Sequence, residues 1–298
     1  MTDAERQPPA GDWRRGAAAV AVLSFDVDAE APILAEGDHY AEDLSTMSHQ
    51  AYGPRVGVPR ILRLLATREI EATFFVPGVT AERWPGTVEE ILQSGHEVAL
   101  HGHSHRVLPG MSEPEQRRDL ETGLEALGNL GVEPRGYRAP YWRMTRATLD
   151  LLARHGIRYD SSLMDGDKPY RLATASGTIA ELPVHWSLDD WEQYAFLPSP
   201  EIGTQIEAPS KLVELWTAEL DAQRHEGGHV VGTMHPFLSG RASRVDALRA
   251  VIDHARRAGD VWIAPLGDVA DRVLAAGDAV EERVPTPPDL TVGPYPSD

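Results

Sequence analysis

Residues 17 to 28 read Ala17-Ala18-Ala19-Val20-Ala21-Val22-Leu23-Ser24-Phe25-Asp26-Val27-Asp28, an apolar run that ends on two aspartates. Behind Arg14-Arg15-Gly16 the run imitates an export signal. Cleavage after such a segment would fall beside residues that look chemical, so Ala17 to Phe25 is read as the first buried strand. A buried strand with polar residues at its C-terminal end is where parallel α/β folds place their chemistry. Residues two apart on a strand project to one face, so Asp26 and Asp28 can look into the same pocket.

A second junction has the same form. Glu97-Val98-Ala99-Leu100 runs into His101-Gly102-His103-Ser104-His105. Imidazole and carboxylate are ligands that zinc and related divalent metals accept. A catalytic zinc site needs three protein ligands and an open position, so two histidines and one aspartate would complete it and leave the other aspartate as a base. His103, between the two presumed ligands, is expected to turn away from them.

Working outward, apolar runs alternate with helical patterns. Strands are predicted at Ala72 to Val76, Glu97 to Leu100, Ile157 to Tyr159, Ile179 to Val184, Val230 to Met234 and Val261 to Ile263. Helices are predicted at Val56 to Arg68, Gly86 to Ser94, Ser112 to Leu130, Thr145 to His155, Lys211 to Arg224, Val245 to Ala258 and Asp268 to Ala275, with Ser112-x-x-Glu115 as a capping box. This βα alternation, repeated about seven times, predicts an α/β fold with a parallel barrel as a single domain. The expected organisation is a flexible segment 1–16, a barrel over 17–280 with a long polar loop 29–57 as lid or wall, and a Pro-rich tail 281–298.

The chain has 298 residues, 42% hydrophobic and 25% charged, enough for one large core. A formal net charge of −18 and the lack of any basic stretch argue against nucleic acid and anionic surfaces as partners. Cysteine is absent, which removes disulfides and thiolate ligands. No stretch reaches the 18 or more apolar residues of a membrane span, so the expectation is a soluble, cytoplasmic protein.

Phe25-Asp26-Val27-Asp28, His101-x-x-x-His105, Arg138-x-Pro140-Tyr141 and Met234-His235-Pro236 resemble, in order, the motifs of the polysaccharide deacetylases, the NodB homology group, from about residue 18 to 270. Phe-Asp-x-Asp-Ala and Tyr52-Gly53-Pro54-Arg55-Val56-Gly57 are most similar to the branch that holds the Helicobacter peptidoglycan deacetylase-like protein, near allantoinase-like and cyclic-imide-hydrolysing proteins. The commoner family form has adjacent aspartates; here Val27 separates them. The resemblance implies a distorted (β/α)7-type barrel and a metal-dependent hydrolase of C–N bonds. It further implies Asp28, His101 and His105 as metal ligands, Asp26 as general base, Arg138 holding Asp26, the Tyr141 backbone N–H facing the oxyanion, and His235 as general acid. Asp189, Asp190 and Glu181 are candidates for orienting His235.

Hydrolysis of an amide needs an activated water, stabilisation of the oxyanion and a proton for the departing nitrogen, and these groups can supply all three. Zinc is the expected metal, with cobalt or nickel accepting the same set. The expected substrate is an N-acetylated sugar or, alternatively, a small cyclic amide or imide; a catalytically silent barrel serving as a binding module is the third reading. Trp142, Trp186 and Trp191 could stack on a ring, and His39 and His49 could line the pocket. The long loop and the Pro-rich tail suggest a homo-oligomer.

Overall fold

The structure, a computed structural model, describes residues 11–285. Within β1 (Ala19–Asp26) the pleat sorts side chains into two sets. Ala19, Ala21, Leu23 and Phe25 face an outer core shared with the helices, whereas Val20 and Val22 join an inner cluster with Phe75, Ala99, Tyr159, Ala180 and Val231. Continuing the inner parity gives Ser24, Asp26 and Asp28, all buried. The interior therefore passes from apolar to polar toward the C-terminal end of the strand.

The other strands are β2 (Thr73–Val76), β3 (Glu97–Leu100), β4 (Gly136–Tyr137), β5 (Tyr159–Asp160), β6 (Tyr170–Thr174), β7 (Gly177–Glu181), β8 (Leu197–Pro198), β9 (Glu201–Ile202), β10 (His229–Met234), β11 (Val261–Ile263) and β12 (Glu282–Arg283). The main sheet runs β10-β1-β2-β3-β4-β5-β7-β6-β12, parallel throughout except for the β6–β7 hairpin. On the side of β1 away from β10, β11 pairs with Ala19–Ala21 and β2 with Ser24–Asp26. β8 and β9 form a separate hairpin.

This mostly parallel sheet, wrapped about the inner cluster, agrees with the expected distorted barrel. One seam lacks a ladder, between β7 and β10. It is crossed by a single parallel bridge, Asp189 to Thr233. The ring nitrogens of His229 add to it, lying 2.9 Å from the Asp167 carbonyl oxygen and 3.0 Å from that of Pro183.

The helix Val58–Thr67 buries Val58, Ile61, Leu62, Leu64 and Leu65, the stripe that its spacing predicts. Glu113–Gly128 begins with the expected capping box, the Ser112 N–H donating to the Glu115 carboxylate at 2.8 Å. Leu266–Ala275 joins the inner cluster through Val269, Ala270 and Val273, and its first amides donate to Thr73 and Glu97 at the N-terminal ends of β2 and β3. That end of the interior is thereby closed.

Three expectations change. Residues 29–57 are not an irregular loop but the short helices Ala31–Glu36 and Leu44–Tyr52, followed by a π-helical turn, Gly53–Gly57, that runs into Val58–Thr67. Their polar sequence hides them, yet Asp43 caps the second helix by accepting from the Thr46 N–H at 3.0 Å. Tyr170–Thr174 is an additional, antiparallel strand. Glu282–Arg283, assigned to the tail, pairs with it as β12. Residues 1–10 of the N-terminal segment and 286–298 of the Pro-rich tail lie outside the described residues.

The π-helical turn packs against the segment that follows His235. A Cβ at Gly57 would lie 2.1 Å from the Pro236 carbonyl oxygen, whereas one at Gly86 would meet nothing within 4 Å. Gly57→Ala is therefore expected to lower unfolding free energy by at least ~1–3 kcal/mol in denaturant titrations. Gly86→Ala, in the same assay, should be neutral or mildly stabilising.

Candidate active site and metal centre

Strand register brings the proposed residues level. Phe25 pairs with Met234, Asp26 with Phe75, Val76 with Leu100 and Leu100 with Tyr137. The residues that follow these pairs, Asp28, His101, Arg138 and His235, therefore meet at one end of the sheet. There Asp26, Asp28, His101, His105, Tyr141 and His235 line a cavity of about 150 Å³, completed by Trp142, Trp186, Asp189, Trp191 and Glu192.

Asp28, His101 and His105 are all buried and offer one ligand atom each within a single small space. His101 Nε2 lies 3.6 Å from Asp28 Oδ1, and His105 Nε2 lies 3.5 Å from Asp28 Oδ2. These separations are long for hydrogen bonds but close to the ~3.4 Å between two ligands that each sit ~2.1 Å from a tetrahedral centre. Asp28 Oδ1 has no hydrogen-bond partner among the described residues. The Nδ1 of His101 donates to the Arg138 carbonyl at 2.8 Å, which leaves the Nε2 lone pair facing inward. Burial holds the His101 pKa below its ordinary value, favouring the neutral ring that a metal requires. The donor set fits a zinc-type divalent ion.

The loop between the two histidines is shaped from outside. Gly102 takes φ +68° and His105 φ +54°. Asp119, on the buried face of Glu113–Gly128, accepts the N–H groups of His103 at 2.8 Å and Ser104 at 3.0 Å, and the Ser104 hydroxyl at 2.6 Å. Nothing in the motif spacing pointed to Asp119. The signal that could have found it is an acid within a stripe that otherwise buries Leu120, Gly123 and Leu127. His103 turns aside, as expected, and its Nδ1 packs close to Gly78.

Arg138 has no solvent exposure. Its Nη1 donates to Asp26 Oδ1 at 2.7 Å and to Ser24 Oγ at 3.0 Å, while Nε and Nη2 donate to the Ser161 carbonyl and hydroxyl at 3.1 Å each. The guanidinium also lies 4.1 Å from the centre of the Phe75 ring. Behind it lie Asp160 and Glu181, the Glu181 Oε1 accepting the N–H groups of Ser162 at 3.2 Å and Leu163 at 2.9 Å. Burial pushes both carboxyls up, Asp160 to about 6, and the Asp160 charge raises Glu181 further. Glu181 is thus committed elsewhere and does not orient His235.

Asp190 does so. Its Oδ1 lies 2.7 Å from His235 Nδ1, and both its oxygens accept from the His235 backbone N–H at 3.0 Å. It also accepts from Ser239 Oγ. Burial pulls the His235 pKa down, but the Asp190 hydrogen bond and the charges of Asp189, Asp190 and Asp28 outweigh it and raise the value to about 10. His235 Nε2 faces Asp28 Oδ2 at 3.6 Å. Tyr141 and Trp142 both take left-handed φ, +56° and +53°, a conformation that costs ~1–3 kcal/mol per residue and clusters at functional sites. His39 and His49 are not among the residues that line the cavity, and His49 packs edge-on to Phe237 instead.

Removing the support of the histidine loop should show first in metal binding. Asp119→Ala is expected to weaken zinc affinity 10- to 100-fold in a dye-competition titration, with the far-ultraviolet spectrum unchanged. Unaltered affinity would mean that the loop holds its shape without Asp119.

Residues 51–159 match the family model described as polysaccharide deacetylase. The peptidoglycan deacetylase of Helicobacter pylori is 28% identical over 281 residues, covering 85% of this chain and 96% of that protein. The crystal structure of a protein from Mycobacterium smegmatis, assigned as a polysaccharide deacetylase, superposes with a TM-score of 0.89 at 48% identity, over 92% of this chain and 96% of the other. Puue allantoinase shares the fold, with a TM-score of 0.78 at 22% identity over 93% of this chain and 96% of that one. With the motif residues gathered at one end of the sheet and a relative of this identity matching almost end to end, the chain belongs to the polysaccharide deacetylase family, hydrolases of carbon–nitrogen bonds other than peptide bonds.

Proposed function

We propose that this site hydrolyses the amide C–N bond of a small, uncharged substrate with the help of a divalent metal held by Asp28, His101 and His105. One observation carries the reading. A carboxylate paired with a fully buried arginine and an imidazole paired with a fully buried carboxylate both lie within 3.7 Å of that ligand set. A base and an acid flanking one reaction point are what amide hydrolysis demands.

A metal bound there, zinc by preference and cobalt or nickel by the same donor chemistry, lowers the pKa of water from ~16 toward ~7 and polarises a carbonyl oxygen. Asp26 is the base: Arg138 fixes Oδ1, and Oδ2, turned toward His101, takes a proton from the attacking water. A positioned group of this kind is worth ~10²- to 10⁴-fold. The backbone N–H of Tyr141, in its strained turn, is the donor for the oxyanion. His235, kept cationic by Asp190, gives its Nε2 proton to the leaving nitrogen.

The size of the cavity supports a small substrate. About 150 Å³ is space for one ring of benzene size, and Trp142, Trp186 and Trp191 border it. A single-ring cyclic amide or imide suits that space, and so does the terminal acetamido group of a sugar. Kinship favours the second: relatives are named as peptidoglycan and chitooligosaccharide deacetylases.

The deciding assay loads the protein with zinc and measures acetate release from an N-acetylglucosamine oligomer beside ring opening of succinimide. Ring opening alone would assign the cyclic substrate, and acetate alone the sugar. Neither, with zinc bound, would leave a silent binding barrel. In Asp26→Asn the productive reaction should fall by ~10²-fold or more with zinc still bound. His101→Ala should lose the metal itself.

A further inference from the structure

Asp189 has extended backbone (φ −108°, ψ 128°), whereas Asp190 has turned to helical values (φ −72°, ψ −16°) and opens the short helix Trp191–Tyr194. Asp190 goes behind the imidazole, where His235 and Ser239 occupy its oxygens. Asp189 stands beside it, its carboxylate near the same imidazole nitrogen and on the lining of the cavity. The bridge from Asp189 to Thr233 and the bond from the Asp190 N–H to the Thr233 carbonyl at 3.0 Å fix both residues.

Asp189 is only 4% exposed, yet it is half used. Its Oδ1 accepts from the Trp191 N–H at 2.8 Å and stands 3.6 Å from His235 Nδ1. Its Oδ2 has no partner among the described residues and opens on the cavity. A buried carboxylate oxygen without a donor is costly unless something supplies one. The lining holds Asp26, Asp28, Asp189 and Glu192 with no lysine or arginine among them, so an anionic group placed beside Asp189 and Glu192, away from the metal ligands, would meet repulsion.

We propose that Asp189 is the specificity-determining residue of this site: its Oδ2 accepts a hydrogen bond from an N–H of the substrate adjoining the scissile carbonyl, selecting uncharged amides that carry such a donor. The assignment rests on the hydrolase reading above and narrows it. Burial and the charges of Asp190 and Asp26 push the Asp189 pKa up to about 7 against the pull of His235, so a substrate donor meets a carboxyl that gains from it. Asp189 neither gives nor takes the protons assigned to Asp26 and His235, although its charge helps to keep His235 protonated.

The test inverts the polarity of one atom. In Asp189→Asn the Oδ1 can still accept from Trp191, while the position of Oδ2 becomes an NH₂ donor. Hydantoin and its N-methylated derivatives, with one N–H removed at a time, are compared on zinc-loaded wild type and variant, by calorimetric binding and by ring opening. Wild type should bind hydantoin at least tenfold more tightly than one of the methylated forms, and Asp189→Asn should bring that ratio within twofold through loss of affinity for hydantoin. A ratio that survives in Asp189→Asn, a wild type that does not discriminate, or the absence of binding to any of these compounds would each overturn the assignment. Acetate release from an N-acetylglucosamine oligomer, measured on the same preparations, separates those results from failure of the hydrolase reading, which predicts turnover of one substrate or the other.

Discussion

A guanidinium wholly removed from water must find partners for its charge and its N–H groups, since desolvating an ion in a protein interior costs several kcal/mol. Arg138 meets that demand with Asp26, Ser24, Ser161 and the face of Phe75, which draws β1, β2 and the end of β5 to one point. Its backbone carbonyl meanwhile fixes the tautomer of His101. One residue thus sets the position of the proposed base and the orientation of a proposed metal ligand together. Behind it, burial and mutual repulsion raise the pKa values of Asp160 and Glu181, which lessens the negative charge that this buried pair carries.

What could be read in advance follows from period and position. β1 declares itself by its apolar run, and its two-residue repeat carries the reading from Val20 and Val22 to Asp26 and Asp28 without a break. β3 leads to the histidines in the same way. The segment 29–57 resisted because its short helices are fixed by tertiary contact, such as Gly57 against Pro236, rather than by an apolar stripe. β4 and β5, two residues each, are too brief for a period to exist. Asp119 and the choice between Asp189 and Asp190 were hidden for another reason. Their roles depend on partners 15 to 45 residues away, which no local pattern of the chain records.

The proposed acid is held from two sides. Asp190 grips both the ring and the amide of His235, and the π-helical turn closes on Pro236 so tightly that even a methyl group would not fit. Such packing leaves the imidazole little freedom, which suits a group whose usefulness depends on a few tenths of an ångström. Strain at Tyr141 and Trp142 is the counterpart on the opposite wall, where the surrounding turn imposes a backbone conformation that these residues avoid elsewhere.

The seam between β7 and β10 gives the fold a separate freedom. The other junctions of the main sheet are paired in register, from the six pairs of β1 with β10 to the single pair of β3 with β4, and an insertion there would shift register and turn inward residues outward. Across the seam the edges are held by the Asp189 bridge, by the N–H and ring of His229 and by the bonds of Asp190 to His235, and the chain between them brings Trp186, Asp189, Trp191 and Glu192 to the cavity. Apart from Asp190, which holds His235, that passage can be lengthened or rewritten without disturbing the strands that carry Asp26, His101 and Arg138. A barrel left partly unstitched at this one place can therefore exchange the wall that recognises its substrate while inheriting its chemistry intact.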